Sequence, residues 1–249
     1  ASIQVAGKLH VLSPAPRIAE NRLRLPRKAT QTLFETLVRA RFLCDDREGI
    51  EAGIEVRPIP PVGFAPFDTR EPWSFGHGWL KLTSFADPLY DLQGPTLFLD
   101  LDIVIVDSID CFFDHPGDFC VIREWDKKDG TGNTSVYRYT IGAHADALAH
   151  LKSGYPQSIA DVRNEQEYIT QYLGRQGKVA YWPEGWCVSF KRHCVPRGLM
   201  SWFRPPTIPA GAKIIAFHGK PNPPDAIVGI SGKWYRRVPP TPWVAKHWR

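Results

Sequence analysis

Residues 97–106, LFLDLDIVIV, constrain the chain more than any other segment. Apolar residues fall on both faces of this stretch, the pattern of a strand in a sheet that is covered on both sides. Two aspartates, Asp100 and Asp102, interrupt it. A buried carboxylate without a partner is expensive. Residues two apart on a strand point to the same face, so these two like charges repel unless a cation sits beside them. A hard divalent ion, Mn²⁺ or Mg²⁺, is the natural neutraliser, with oxygen ligands and substrate phosphates completing its shell. The ordinary alternative is a strand end whose acids cap loops or pair with arginine.

Such a strand needs a sizeable core around it, and 249 residues suffice for one without staples. We read residues 1–249 as a single domain. Hydrophobic residues at 43% and charged residues at 23% exclude a mainly disordered chain, a coiled coil and a collagen-like fibre. No apolar run is long enough to span a bilayer, and the N-terminus lacks the basic–apolar–small pattern of a secretion signal. The five cysteines, at positions 44, 111, 120, 187 and 194, are odd in number and form no CxxC pair. A reducing, cytoplasmic setting is expected. Cys187 and Cys194 flank His193, but nothing completes a zinc site, so they read as structural. The net charge of +5 suits an anionic ligand such as a nucleotide phosphate or a lipid headgroup. It is too small to argue for nucleic acid, and no nucleic-acid motif is present.

Apolar spacing predicts further strands at 3–12, 41–44, 54–57, 119–122, 136–141, 179–182, 187–190 and 213–217. Helices are expected after Pro26 (Leu33, Phe34, Leu37 and Val38 form one stripe) and over 79–90, 143–152 and 159–173. Their alternation predicts an α/β fold. Residues 231–249 are basic and aromatic, with Trp234, Tyr235, Trp243 and Trp248 among Lys and Arg. This tail suits peripheral contact with an anionic membrane, or a lid packed over the sheet.

Two enzyme classes end an apolar strand in aspartates two residues apart. In haloacid-dehalogenase-like phosphatases the first is a nucleophile and Gly-Thr follows the second; here Ile103 and Val104 stand in that place. The chain instead resembles bacterial glycosyltransferases related to glycosyltransferase family eight. The blocks RFLCDD (41–46), IEVRPIP (54–60), GWLKLTSF (78–85), NTSVYRY (133–139), YWPEGWCVSFKRHC (181–194) and IIAFHGKPNPP (214–224) follow in that family's order. The likeness spans about residues 41–230.

The resemblance implies a GT-A-like fold, a mixed sheet flanked by helices. It implies a metal-dependent, retaining, hexosyltransferase-type enzyme that moves a sugar from a UDP-sugar to a glycan or lipid-linked acceptor. By position, Asp100, Asp102 and His218 would hold Mn²⁺ or Mg²⁺. Gly219 and Lys220 would meet the diphosphate, Lys81 would supply positive charge to the donor, and Asp45 and Asp46 would contact its base and ribose. Asn133 and Ser135 would bond sugar hydroxyls. Glu165 and Gln166 stand where relatives carry an Asp-Gln pair at the reacting face. Trp182 and Trp186 read as an acceptor-side aromatic wall or, equally, as core. The first 40 residues depart from the family's opening strand; residues 3–12 are the candidate replacement. A degenerate relative that binds nucleotide or glycan without catalysis is the alternative.

Overall fold

The computed structural model describes residues 8–12, 39–43, 55–64, 78–231 and 238–248. The helix expected after Pro26, the pair Asp45 and Asp46, and Trp234 and Tyr235 of the tail lie outside the described residues.

Among the described residues ten strands form two sheets. β1 (Lys8–Leu12), β2 (Arg39–Leu43), β3 (Glu55–Arg57), β4 (Pro95–Leu99), β6 (Phe119–Arg123), β7 (Gly132–Thr140) and β8 (Val179–Tyr181) build the larger, in the order β3-β2-β1-β4-β7-β6-β8. β5 (Ile103–Ile105), β9 (Cys187–Ser189) and β10 (Ile214–Ala216) build the smaller, in the order β5-β10-β9. The opening strand that the N-terminus only hinted at is present: β1 begins just after Gly7 and pairs in parallel with both β2 and β4. β1, β2, β3 and β4 are therefore one parallel half-sheet, while β7 runs antiparallel to β4 and to β6. The chain grows outward from β1 to β3, then returns to lay β4 on the other side of β1. In open α/β sheets such a reversal of strand order leaves a crevice outside the carboxyl ends of the strands. The carboxyl end of β4 is Leu99, and Asp100 follows it.

The long strand expected over 97–106 is in fact two. β4 ends at Leu99, Asp100–Asp102 turn, and β5 leaves for the other sheet. A straight strand would have carried both carboxylates through the apolar interior; the break brings them out at the crevice. Both halves keep the buried pattern that marked them in the sequence. Phe98 faces a core with Trp79, Phe85, Tyr137 and Leu173, whereas Leu97 and Leu99 face a second core with Ile122, Trp182 and Ile214. That alternation is the two-residue period of a strand between two packed layers.

Helices close the faces. Residues 79–90 were expected as a helix; a 3-10 helix covers Gly78–Phe85 and stops short of Pro88. α1 (Cys111–Asp114) is a single turn, and α2 (Ala145–Gly154) lies where expected. The helix expected over 159–173 is shorter, because Asn164 is extended and caps α3 (Glu165–Gly174) by accepting from the Glu167 N–H at 3.0 Å. α4 (Pro223–Val228) and α5 (Pro242–His247) pack outside the smaller sheet. In the described part of the tail Val244 is buried, Trp248 packs on the same core, and the Trp243 indole donates to Pro206 O at 2.9 Å. This part of the tail is a cover over the sheet. Among the described residues no helix is long and apolar enough to cross a membrane.

Candidate functional site

Four charged side chains meet at the carboxyl end of β4. Lys81, on the 3-10 helix, donates to Asp100 Oδ2 at 2.7 Å and lies 3.9 Å from Glu165 Oε1, at the start of α3. All three are largely withdrawn from solvent, with side chains 14–17% exposed. Gly78 leaves room for the Glu165 carboxylate: a Cβ there would fall 2.6 Å from Oε2 and displace it. Asp102 completes the group. Burial first, and the Asp100 charge second, push its pKa up to about 7, against the pull of Lys81 and Lys191. Burial by itself would lower the Lys81 ammonium, but Asp100, Glu165 and Asp102 together hold its pKa above the ordinary value. Three acids thus share one buried ammonium.

β7 and β10 frame this cluster. The Asp100 N–H donates to Ser135 O at 2.9 Å, and the Phe217 N–H donates to Asp102 O at 2.8 Å. The second bond brings His218, the next residue, to the rim. Its ring stacks on Trp125 (centroids 5.6 Å apart, planes 22°), and Nε2 lies 2.6 Å from Ser189 Oγ. Burial, then Lys191 and Arg192, hold the imidazole below its usual pKa, which favours the neutral form that a metal requires. Asn133 is turned inward: Nδ2 donates to Glu124 Oε2 at 3.2 Å and Oδ1 accepts from the Ser135 N–H at 3.0 Å. The Gln166 amide oxygen lies 3.5 Å from Thr134 N. The structure therefore joins Lys81, Asp100, Asp102 and Glu165 in one cluster, with Ser135 and the residue before His218 tied to it by backbone bonds, while Asn133 and Gln166 bond to β7 and its approach.

Other expected residues are placed differently. The Lys220 ammonium bonds Asp225 Oδ2 at 2.9 Å, on the first turn of α4, and its side chain is mostly exposed. The cation at the Gly219 turn is Lys191, which sequence reasoning missed. Its ammonium donates to His218 O, and a Cβ on Gly219 would come within 3.5 Å of it. Lys191 lies in the π-helical turn Phe190–Cys194, and such turns often mark functional sites. Gly219 adopts φ +63°, a conformation that glycine takes freely. Trp182 is a packing residue: it is buried, its ring meets Phe112 at 4.7 Å, and its indole N–H donates to Val136 O at 3.1 Å. An interior side chain with its polar atom already bonded presents no wall to an acceptor. Trp186 is half-buried and also packs on Phe112, at 5.3 Å. Trp125 and Glu124, on the return from β6 to β7, are further rim residues that no periodicity marked. Cys187 and Cys194 are free and buried, and burial raises both thiols, Cys194 to about 12, as suits structural cysteines.

The donor set bears on whether a divalent ion suits this site. Asp100 and Asp102 offer hard oxygen ligands, and Asp102 is raised by burial and then by the Asp100 charge, against the pull of Lys81. In charge and donor type the carboxylate pair fits Mn²⁺ or Mg²⁺. The third ligand is not assembled: among the described residues no group of three or more His, Cys, Asp or Glu gathers in a metal-holding arrangement. His218 would have to turn from Ser189.

No protein-family model and no curated protein matches the chain. Solved structures do. A galactosyltransferase, LgtC, in complex with donor and acceptor sugar analogs is similar over 87% of this chain and 88% of its own, with a TM-score of 0.56 and 15% identity. The fold is that of the GT-A glycosyltransferases. An active-site mutant of LgtC aligns with a TM-score of 0.53 at 13% identity, covering 87% of this chain and 89% of that one. The glycosyltransferase GlyE of Streptococcus pneumoniae gives 0.53 at 12% identity, with 88% of this chain spanning 56% of that one.

Proposed function

We propose that this chain is a metal-dependent glycosyltransferase. It moves a sugar from a nucleotide-sugar, a UDP-sugar, to a glycan or lipid-linked acceptor, and keeps the configuration at the anomeric carbon. One observation carries the reading. Asp100, Asp102, Lys81 and Glu165 converge outside the carboxyl end of β4, where the strand order reverses in a GT-A sheet. Burial, and then the Asp100 charge, raise Asp102 to about 7, and carboxylates perturbed in this way concentrate at functional sites.

Asp100 and Asp102, joined by His218 once it leaves Ser189, would hold Mn²⁺ or Mg²⁺. The ion supplies Lewis acidity that neutralises the departing diphosphate. The chain's own groups do the rest. Gly219 lets the backbone approach the diphosphate closely, and Lys191 places an ammonium beside it. Lys81 orients Asp100 through its hydrogen bond. Glu165 and Gln166, at the N-terminus of α3, face the transferred sugar, and Asn133 and Ser135 line the same crevice. The carboxylate placed toward the sugar, Glu165, lies beside the Lys81 ammonium and is not a free nucleophile, so front-face attack by the acceptor hydroxyl is the proposed route. β1 supplies the parallel frame that a nucleotide pocket needs, which supports an intact donor site over a degenerate one.

The test is a panel of UDP-sugars with Mn²⁺, read as UDP release with and without glycan acceptors. Metal-dependent release that an acceptor accelerates supports the proposal. Tight UDP binding with no release from any donor would make the chain a binding protein instead.

A further inference from the structure

The chain between the Phe190–Cys194 turn and β10 makes an excursion with a clamped base. The Thr207 N–H donates to the carbonyl of buried Cys194 at 3.0 Å, and Trp243 holds Pro206. Its tip is ordered. A 3-10 helix spans Gly198–Trp202, Ser201 Oγ donates to Gly198 O at 2.9 Å, and the Arg204 N–H donates to Met200 O at 2.9 Å. Yet this built tip holds its apolar side chains in solvent. Leu199 is 80% exposed and Phe203 81%, with Met200 and Trp202 exposed beside them. Isolated surface apolar residues are commonplace, but a contiguous group marks a contact surface.

We propose that this tip docks on an anionic lipid bilayer. Arg197 and Arg204, both exposed, bracket the apolar group. Residues 185–224 contain six Lys or Arg and no Asp or Glu; Arg192, Lys213 and Lys220 pair with Asp126, Asp107 and Asp225 from elsewhere in the fold, which leaves Arg197 and Arg204 as the charge at the tip. An apolar centre bracketed by two exposed arginines, with a tryptophan at its edge, complements the acyl boundary and the anionic headgroups of a membrane. It is poorly complementary to a second copy of itself, which would oppose the same arginines. The docking surface is thus the 197–204 tip and not the described part of the tail, whose Trp243 and Trp248 face the core. The loop springs from the turn that carries Lys191, so a docked tip sets the rim of the crevice beside the lipid. That consequence, an acceptor reached at the membrane surface, rests on the transferase reading; the docking does not.

Flotation of the full chain with vesicles of equal parts phosphatidylcholine and phosphatidylglycerol tests it, with pure phosphatidylcholine as the comparison. Binding to the anionic vesicles is expected, at least roughly tenfold weaker on neutral ones. Leu199→Ser with Phe203→Ser should reduce it by about tenfold or more, and Arg197→Gln or Arg204→Gln by roughly fivefold each. Both apolar sites are exposed, so an unchanged thermal melt and unchanged UDP binding confirm the fold. Absence of vesicle binding, binding that survives in the double variant, or a dimer that the double variant dissolves would each overturn the proposal. Failure of UDP binding in the unaltered chain would count against the transferase reading alone.

Discussion

The Lys81 ammonium donates to Asp100 Oδ2 at 2.7 Å, although the two residues lie on separate elements, the 3-10 helix Gly78–Phe85 and the end of β4. This bond neutralises half of a carboxylate pair in the absence of a metal. Asp102, beside it, is pushed up to about 7 by burial and then by the Asp100 charge.

Removing that ammonium should therefore matter more without metal than with it. Lys81→Met leaves three neighbouring carboxylates without a cation, a loss of about 1–3 kcal/mol for a mostly buried pair. Thermal melts of the metal-free protein should fall accordingly. Mn²⁺ should raise the melting temperature of Lys81→Met more than that of the unaltered chain. An equal shift in both would mean that the ion does not bind beside Asp100.

In the proposed donor site Lys191 takes the role that sequence order suggests for Lys220. Lys191→Gln should weaken metal-dependent UDP binding about tenfold, the loss of one charge-assisted contact to phosphate. Lys220→Gln should change it by no more than about threefold, because its ammonium is held by Asp225 on an exposed surface. Calorimetric titration of both variants separates the two lysines. The reverse ranking would return the diphosphate to Lys220.

Much of this arrangement is legible in the sequence, and the losses have physical causes. The strands of both sheets stand out because apolar runs buried on both faces have few other uses. The break at Asp100–Asp102 does not stand out, since a turn occupied by Asp-Leu-Asp continues the alternation of a strand. The split of residues 159–173 hides for a similar reason: Asn164 fits a helical spacing until its side chain is seen to cap α3. Lys191 and Trp125 lie on turns, where no periodicity singles out a residue. Lys220 was singled out by its place after His-Gly, and that order does not reveal that Asp225 would hold it. The exposed Leu199 and Phe203 look like core in a sequence, and only the acid-free stretch around them hints at a surface.

The cap region also sets a pH response. Hydrogen bonds from Arg163, and then from Lys127, hold the Glu167 carboxyl down to about 2 in spite of its burial. A depressed carboxylate adds stability that is complete above its unfolded pKa and disappears as pH falls through the folded one. Glu167→Gln should cost about 1–2 kcal/mol at pH 6, with the difference from the unaltered chain shrinking between about pH 4.5 and pH 2. Urea unfolding across that range reads it. A difference that persists unchanged at the acid end would place the effect in packing.

Calorimetric titration of the full chain with UDP, with and without Mn²⁺ and alongside Asp102→Asn, tests the central claim most directly. A donor site built on the two aspartates predicts UDP binding that requires Mn²⁺ and weakens by about tenfold or more in Asp102→Asn, with the fold unchanged. UDP binding of equal strength with and without the metal, or retained in full by Asp102→Asn, would contradict it.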